Sequence, residues 1–130
     1  MALSRSPFDY AVVRVVPDIE REEFLNAGLI LFCRPRQYLR ARTVLDPATL
    51  SAVHPGSDAD AIGDQLRFLE AVAAGTLEAA PFATMSQSER FHWLTTPRST
   101  LVQPGPLHTG VSDDPDATFD RLFGVLVGRS

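Results

Sequence analysis

Apolar positions in the first third of the chain follow a two-residue period or fill both of its phases. Across residues 8 to 16, one face carries Tyr10, Val12, Arg14 and Val16 and the other Ala11, Val13 and Val15. Both faces are largely apolar, which predicts a buried strand. Pro17-Asp18 interrupts the run, and a charged connection from Ile19 to Glu23 leads into Phe24-Leu25-Asn26-Ala27-Gly28-Leu29-Ile30-Leu31-Phe32-Cys33, which predicts the central strand. After the turn Arg34-Pro35-Arg36, the segment from Gln37 to Leu45 alternates Arg40 and Arg42 with Leu39, Ala41 and Thr43, giving a third strand with one polar face. The three strands predict an antiparallel meander.

Beyond Leu45 the period lengthens to that of helices. Asp46-Pro47 offers a capping oxygen followed by a residue that needs no N–H, so a short helix is expected to about Val53. Ser57 or Asp58 can cap a longer helix near 58 to 74, in which Ile62, Leu66, Leu69 and Ala73 form one stripe and Gly75 suits the left-handed end. Residues 76 to 85 read as a loop. Ser86-x-x-Glu89 has capping-box spacing and predicts a single helical turn before a return to strand at Phe91. Asp114, then Pro115, then Phe119, Leu122, Phe123 and Leu126 predict a last helix over 115 to 127. The expected fold is one α+β domain over residues 1–130, an antiparallel sheet to which the 90 to 110 segment adds one or two strands. Two amphipathic helices cover one sheet face, each fully buried large apolar side chain contributing roughly 1.5–3 kcal/mol. No repeat or interdomain linker is visible.

The composition narrows the function. At 130 residues and 45% hydrophobic content, one core can form without metals or disulfides. A formal charge of −4 and a pI near 5.2 disfavour nucleic acid as partner, because phosphate contacts need a clustered positive face. Cys33, the lone cysteine, lies in an apolar run and is expected to act as a small core hydrophobe. The N-terminal residues lack the apolar centre of a signal peptide, and no apolar run approaches the roughly 20 residues of a membrane span. A cytoplasmic location with no membrane partner is the expectation.

The densest chemistry lies between Arg90 and Gly110. Arg90, Arg98, Ser99, Thr100, Gln103 and His108 could form an anion or partner pocket, with Trp93 as a flat wall. The competing reading is a surface loop stiffened by Pro97, Pro104 and Pro106 whose polar groups bond the neighbouring backbone. A Ser99–His108–Asp113 triad can be written, but no Gly-x-Ser-x-Gly elbow surrounds Ser99, so no catalytic residue is assigned. His54, His92 and His108 are isolated from one another and no cysteine pair exists, so no metal is expected. No phosphate-binding or dinucleotide glycine pattern calls for a cofactor. Asp114 reads as a helix cap, with Asp113 and Asp116 as dipole partners. Arg14 could meet Glu23 across the first hairpin in a pair serving structure alone. Asn26 and Gly28 read as a bulge or a close backbone approach.

Tyr10-Ala11-Val12-Val13-Arg14-Val15-Val16-Pro17-Asp18 followed by Arg21, Glu23, Asn26 and Gly28, together with Arg90-Phe91-His92-Trp93-Leu94 and Pro97-Arg98-Ser99-Thr100, resembles the bacterial family of unknown function DUF3037. In that family a later segment commonly reads Val-Gln-Pro-x-Pro-Val-His-x-Gly, and Val102 to Gly110 follows it with Leu107 in place of Val. The resemblance implies a toxin–antitoxin-like setting, since such proteins are often encoded beside kinases similar to HipA. The leading expectation is therefore a non-enzymatic cytoplasmic binding or accessory protein, a partner or modulator of such a kinase through Trp93, Arg98 and the Pro-rich loop. The alternative is a small enzyme or ligand-binding domain for a phosphorylated or carboxylated metabolite, using Arg90, Arg98, Ser99, Gln103 and His108. Homo-oligomerisation through the meander edge or the loop is compatible with either.

Overall fold

In the computed structural model, which describes residues 4–21 and 23–128, the meander consists of β1 (Ser6–Val15), β2 (Leu25–Cys33) and β3 (Tyr38–Thr43). Two short strands, β4 (Val102–Pro104) and β5 (His108–Ser112), line up one after the other along the free side of β1, giving an all-antiparallel five-stranded sheet ordered β3-β2-β1-β4 with β5 also on β1. The helices are α1 (Pro47–Val53), α2 (Ala59–Ala74), α3 (Gln87–Thr95) and α4 (Pro115–Leu126). The fold is α+β.

Both phases of β2 are apolar, so each needs its own cover. Ile30 and Phe32, with Val13 and Val15 of β1, pack against Leu50 of α1, Ile62, Leu66, Leu69 and Val72 of α2, and Phe91 and Leu94 of α3. Leu29, Leu31 and Cys33 pack with Phe8 against Phe119 and Phe123 of α4. The sequence suggests α2 and α4 sharing one face; instead they sandwich the sheet, because seven consecutive residues of β2, Ala27 to Cys33, are buried. Asp46, Asp58 and Asp114 each accept from a first-turn amide of α1, α2 and α4, and Gly75 closes α2 in the left-handed conformation (φ 71°).

A second difference concerns the segment after Ser86. The capping box forms, Ser86 accepting from Glu89 N–H and Glu89 from Ser86 N–H, but the helix continues for nine residues to Thr95 instead of yielding to strand at Phe91. Phe91 and Leu94, three apart, are both buried in the first core layer, and this contact holds the helix together. Arg14 and Glu23 do not meet. A bulge between Val13 and Arg14 sets Arg14 opposite Asn26, the ladder ends at Val15–Leu25, and Glu23 pairs with Arg21 at 2.9 Å. Arg14 lies instead over the Phe24 ring at 4.1 Å.

The polar phase of β3 fastens α4. Tyr38 Oη donates to Asp116 at 2.8 Å, Arg40 reaches Asp116 and Asp120 at 2.9 and 3.3 Å, and the Arg40 and Arg42 guanidinium groups lie 4.3 and 4.5 Å over the Phe119 and Phe123 rings. Asp116 is thus more than a dipole partner. Burial, then the hydrogen bond to Asp116, push the Tyr38 phenol up to about 12. Because the folded value exceeds the ordinary value of about 10, this contribution to stability is complete below pH about 10 and is lost as pH rises towards about 12. A phenolate absorbance titration should therefore show a step near pH 12 that Tyr38→Phe abolishes and Asp116→Asn moves down. A step that stays in place in Asp116→Asn would refute this assignment.

Candidate functional site

Where α2 passes the end of α3, an apolar groove of about 340 Å³ opens on the first face of the sandwich. Asp64, Gln65, Phe68 and Leu69 line it from α2, Trp93 from α3, Arg98 and Thr100 from the following loop, and Val102 from β4. Positions 64, 65, 68 and 69 fall on one side of a helix, so a single face of α2 builds one wall. The Phe68 ring meets Trp93 edge-on at 6.1 Å, and Phe82 backs Trp93 at 4.5 Å, fixing the indole plane. Phe68 remains 37% exposed, so the cluster is apolar yet open to solvent.

Arg98 covers this wall. Its guanidinium sits 4.4 Å over the indole and donates to the carbonyls of Trp93 and Thr96, so the cation is oriented by its own helix end. Partial burial lowers its pKa from the ordinary arginine value. The loop beyond is tied to itself: Thr100 Oγ1 donates to Val102 O at 2.6 Å and Gln103 Nε2 to Thr100 O at 2.8 Å. Opposite, Asp64 is held by Arg67 one helical turn on. The groove therefore has an aromatic–guanidinium lip from α3 and the following loop, while Asp64 on its α2 wall carries its own counter-charge in Arg67.

The residues singled out in the sequence do not all converge here. Trp93 and Arg98 are together, and Ser99 is exposed beside them. Gln103 braces the loop with its amide. Arg90 is 9% exposed and turned inward, donating to Met85 O at 2.6 Å and Ala73 O at 3.5 Å while its guanidinium lies against Gly75. It ties the α2 end to the α3 start. His108 is exposed on β5, its ring 5.2 Å from that of Tyr10, whose side chain packs towards the α4 layer. The α4 layer and the groove lie on opposite faces, so Ser99, His108 and Asp113 do not assemble, and Ser112 instead bonds Thr118 and the Asp114 amide. Among the described residues no group of three His, Cys, Asp or Glu side chains could hold a metal ion. Of the residues grouped with Arg14, Asn26 donates to Leu126 O at 3.0 Å and Gly28 lies where β2 and β3 approach closely.

Phe68, Phe82 and Gln65 are site residues that sequence reasoning missed. Phe68 carried a signal: it is an aromatic residue off the Ile62/Leu66/Leu69/Ala73 stripe, so its ring has no place in the main core. Phe82 carried none, as it opens the second of two short 3-10 turns in an otherwise irregular segment.

The chain belongs to the DUF3037 family, described as a protein of unknown function, whose model matches residues 10–127. Neither a protein of curated function nor a solved structure matches the chain. No helix among the described residues is long and apolar enough to cross a membrane.

Proposed function

We propose that this protein is a non-enzymatic binding or accessory protein of the cytoplasm, and that the Trp93–Arg98 groove takes an apolar side chain of a protein partner. The observation that carries this reading is the Arg98-on-Trp93 stack at the rim of an open aromatic groove. Trp and Arg are the residue types that most often dominate binding energy, and here both are already held in place, so little ordering is lost on docking. The family resemblance nominates a HipA-like kinase as the partner, and Cys33, buried and unpaired, suits a reducing compartment.

With a purified HipA-like kinase as probe, Arg98→Ala and Trp93→Ala should each weaken binding by about 2 kcal/mol, roughly thirtyfold in Kd. Val125→Asp, exposed on α4 across the sheet, should leave binding unchanged. Equal affinity for all three variants would refute the groove as the contact.

A phosphorylated or carboxylated metabolite is the second reading, favoured by the Arg98 guanidinium at the groove mouth. It is less well supported, since Arg90 is buried away from the groove with both terminal nitrogens on backbone carbonyls, and His108 lies on the other face. A thermal-shift series with organic phosphates and carboxylates separates the two. Saturation a hundredfold above Kd would add about 2.7 kcal/mol of stability, and a flat response counts against a metabolite.

A further inference from the structure

We infer that β5 is a self-complementary edge through which two copies of this chain join their sheets. Gly105 N–H donates to Val12 O at 2.7 Å and Val16 N–H to Leu101 O at 2.7 Å, so the even-numbered residues of β1 direct their backbone groups towards β4 and β5. Tyr10, Phe8 and Ser6 are even, and their partners are His108, Gly110 and Ser112. Those three residues of β5 exchange their hydrogen bonds with β1. The alternation of a strand then turns the N–H and C=O of Thr109 and Val111 outward, where no further strand among the described residues pairs with them.

The spacing of these free groups fits an identical strand. A two-fold axis at Gly110 sets Thr109 opposite Val111 of the second copy and Val111 opposite its Thr109, both as hydrogen-bonded pairs, for four backbone bonds in all. Gly110 meets its own counterpart at the intervening non-bonded position, where antiparallel backbones come closest, and it carries no side chain there. The exposed side chains that would be brought together are a β-branched Thr–Val pair on each side of the axis. No Asp, Glu, Lys or Arg lies within His108–Ser112, so like charges do not oppose the pairing.

Two other points of the sheet rim are blocked. At the β3 edge the Thr43 N–H is taken by Glu70 Oε2 at 2.7 Å, and upstream of β5 Pro104 and Pro106 have no N–H to offer. Leu107 and Val111 add exposed apolar surface, 53% and 59%, next to the free edge. A strand of five residues is a small contact, so association should be weak and visible only as protein concentration rises.

The test is sedimentation velocity over a concentration series reaching the millimolar range, joined to amide hydrogen exchange. The mass should move from 14.2 kDa towards twice that value as concentration increases. The amides of Thr109 and Val111 should gain protection in parallel, while those of His108 and Gly110 are protected throughout. Val111→Lys and Thr109→Lys, both at exposed positions, should each hold the protein monomeric with its unfolding curve unchanged. A monomer at every concentration, a dimer that survives both substitutions, or Thr109 and Val111 amides insensitive to concentration would each overturn the proposal. If a variant fails to fold, exchange on the unaltered protein decides. Because β5 lies outside the Trp93–Arg98 groove, loss of the dimer leaves the kinase-binding test unaffected.

Discussion

Replacing Phe119 with alanine should cost about 3–5 kcal/mol of folding stability, the range for emptying a fully buried aromatic site. Phe119 is 0% exposed and is the central ring of the layer between α4 and the sheet, stacked on Phe123 at 6.2 Å with the Arg40 guanidinium across its face. Its loss removes the apolar area, opens a void, and leaves Arg40 without the ring that shields its stem. Domains of this size hold roughly 5–15 kcal/mol in total, so the variant should unfold at a much lower urea concentration with an unchanged slope. Leu122→Ala, at a half-buried position of the same helix, should cost distinctly less. If Phe119→Ala lost under about 1 kcal/mol, α4 would not be docked on β2 as described.

That second layer was only partly legible in the sequence. The Phe119/Leu122/Phe123/Leu126 spacing marks α4 as amphipathic, and the apolar run in β2 states that both faces need cover, yet nothing local says which face a helix takes. That choice is made by Arg40 and Arg42, whose side chains lie on the α4 side and find Asp116, Asp120 and two phenylalanine rings there. On the α2 side, β3 offers Leu39 and Ala41 instead. The polar phase of a strand, which reads as a solvated face, is here the adhesive for a helix. Caps were the most readable feature, because Asp46, Asp58, Ser86 and Asp114 act on amides two or three residues away.

The candidate site follows the same division. Trp93 and Arg98 are five residues apart, and the helix end that separates them places the guanidinium back over the indole, so their meeting is a local event. Arg90 lies away from the groove for the opposite reason: besides the nearby Met85 carbonyl, it meets the carbonyl of Ala73, 17 residues earlier, and the bare Cα of Gly75, and spacing reveals neither of these last two. His108 belongs to a strand whose register with Tyr10 carries it to the α4 side. Pocket membership depends on which face of the sheet a residue reaches, and that is decided by pairing across nearly 100 residues of chain.

Gly28→Ala should be the most damaging change of a single methyl group, at about 2–3 kcal/mol, the upper part of the range for overpacking a tight interior. A Cβ at Gly28 would stand 2.7 Å from the Arg42 carbonyl oxygen, 3.0 Å from Thr43 Cγ2 and 3.2 Å from Val13 Cβ. The first of these is backbone of the neighbouring strand, so relief requires β3 to move away from β2, straining the β2–β3 ladder and the Arg40 and Arg42 contacts to α4 that depend on it. The strand preference of alanine over glycine returns only about 0.5–1 kcal/mol. Gly110→Ala is the informative comparison. Its Cβ would fall equally close, 2.7 Å, but to the far end of the Phe8 ring, which can turn aside. Urea unfolding should therefore rank Gly28→Ala well below Gly110→Ala in stability. The reverse order would mean that the β2–β3 spacing yields more readily than a buried phenylalanine.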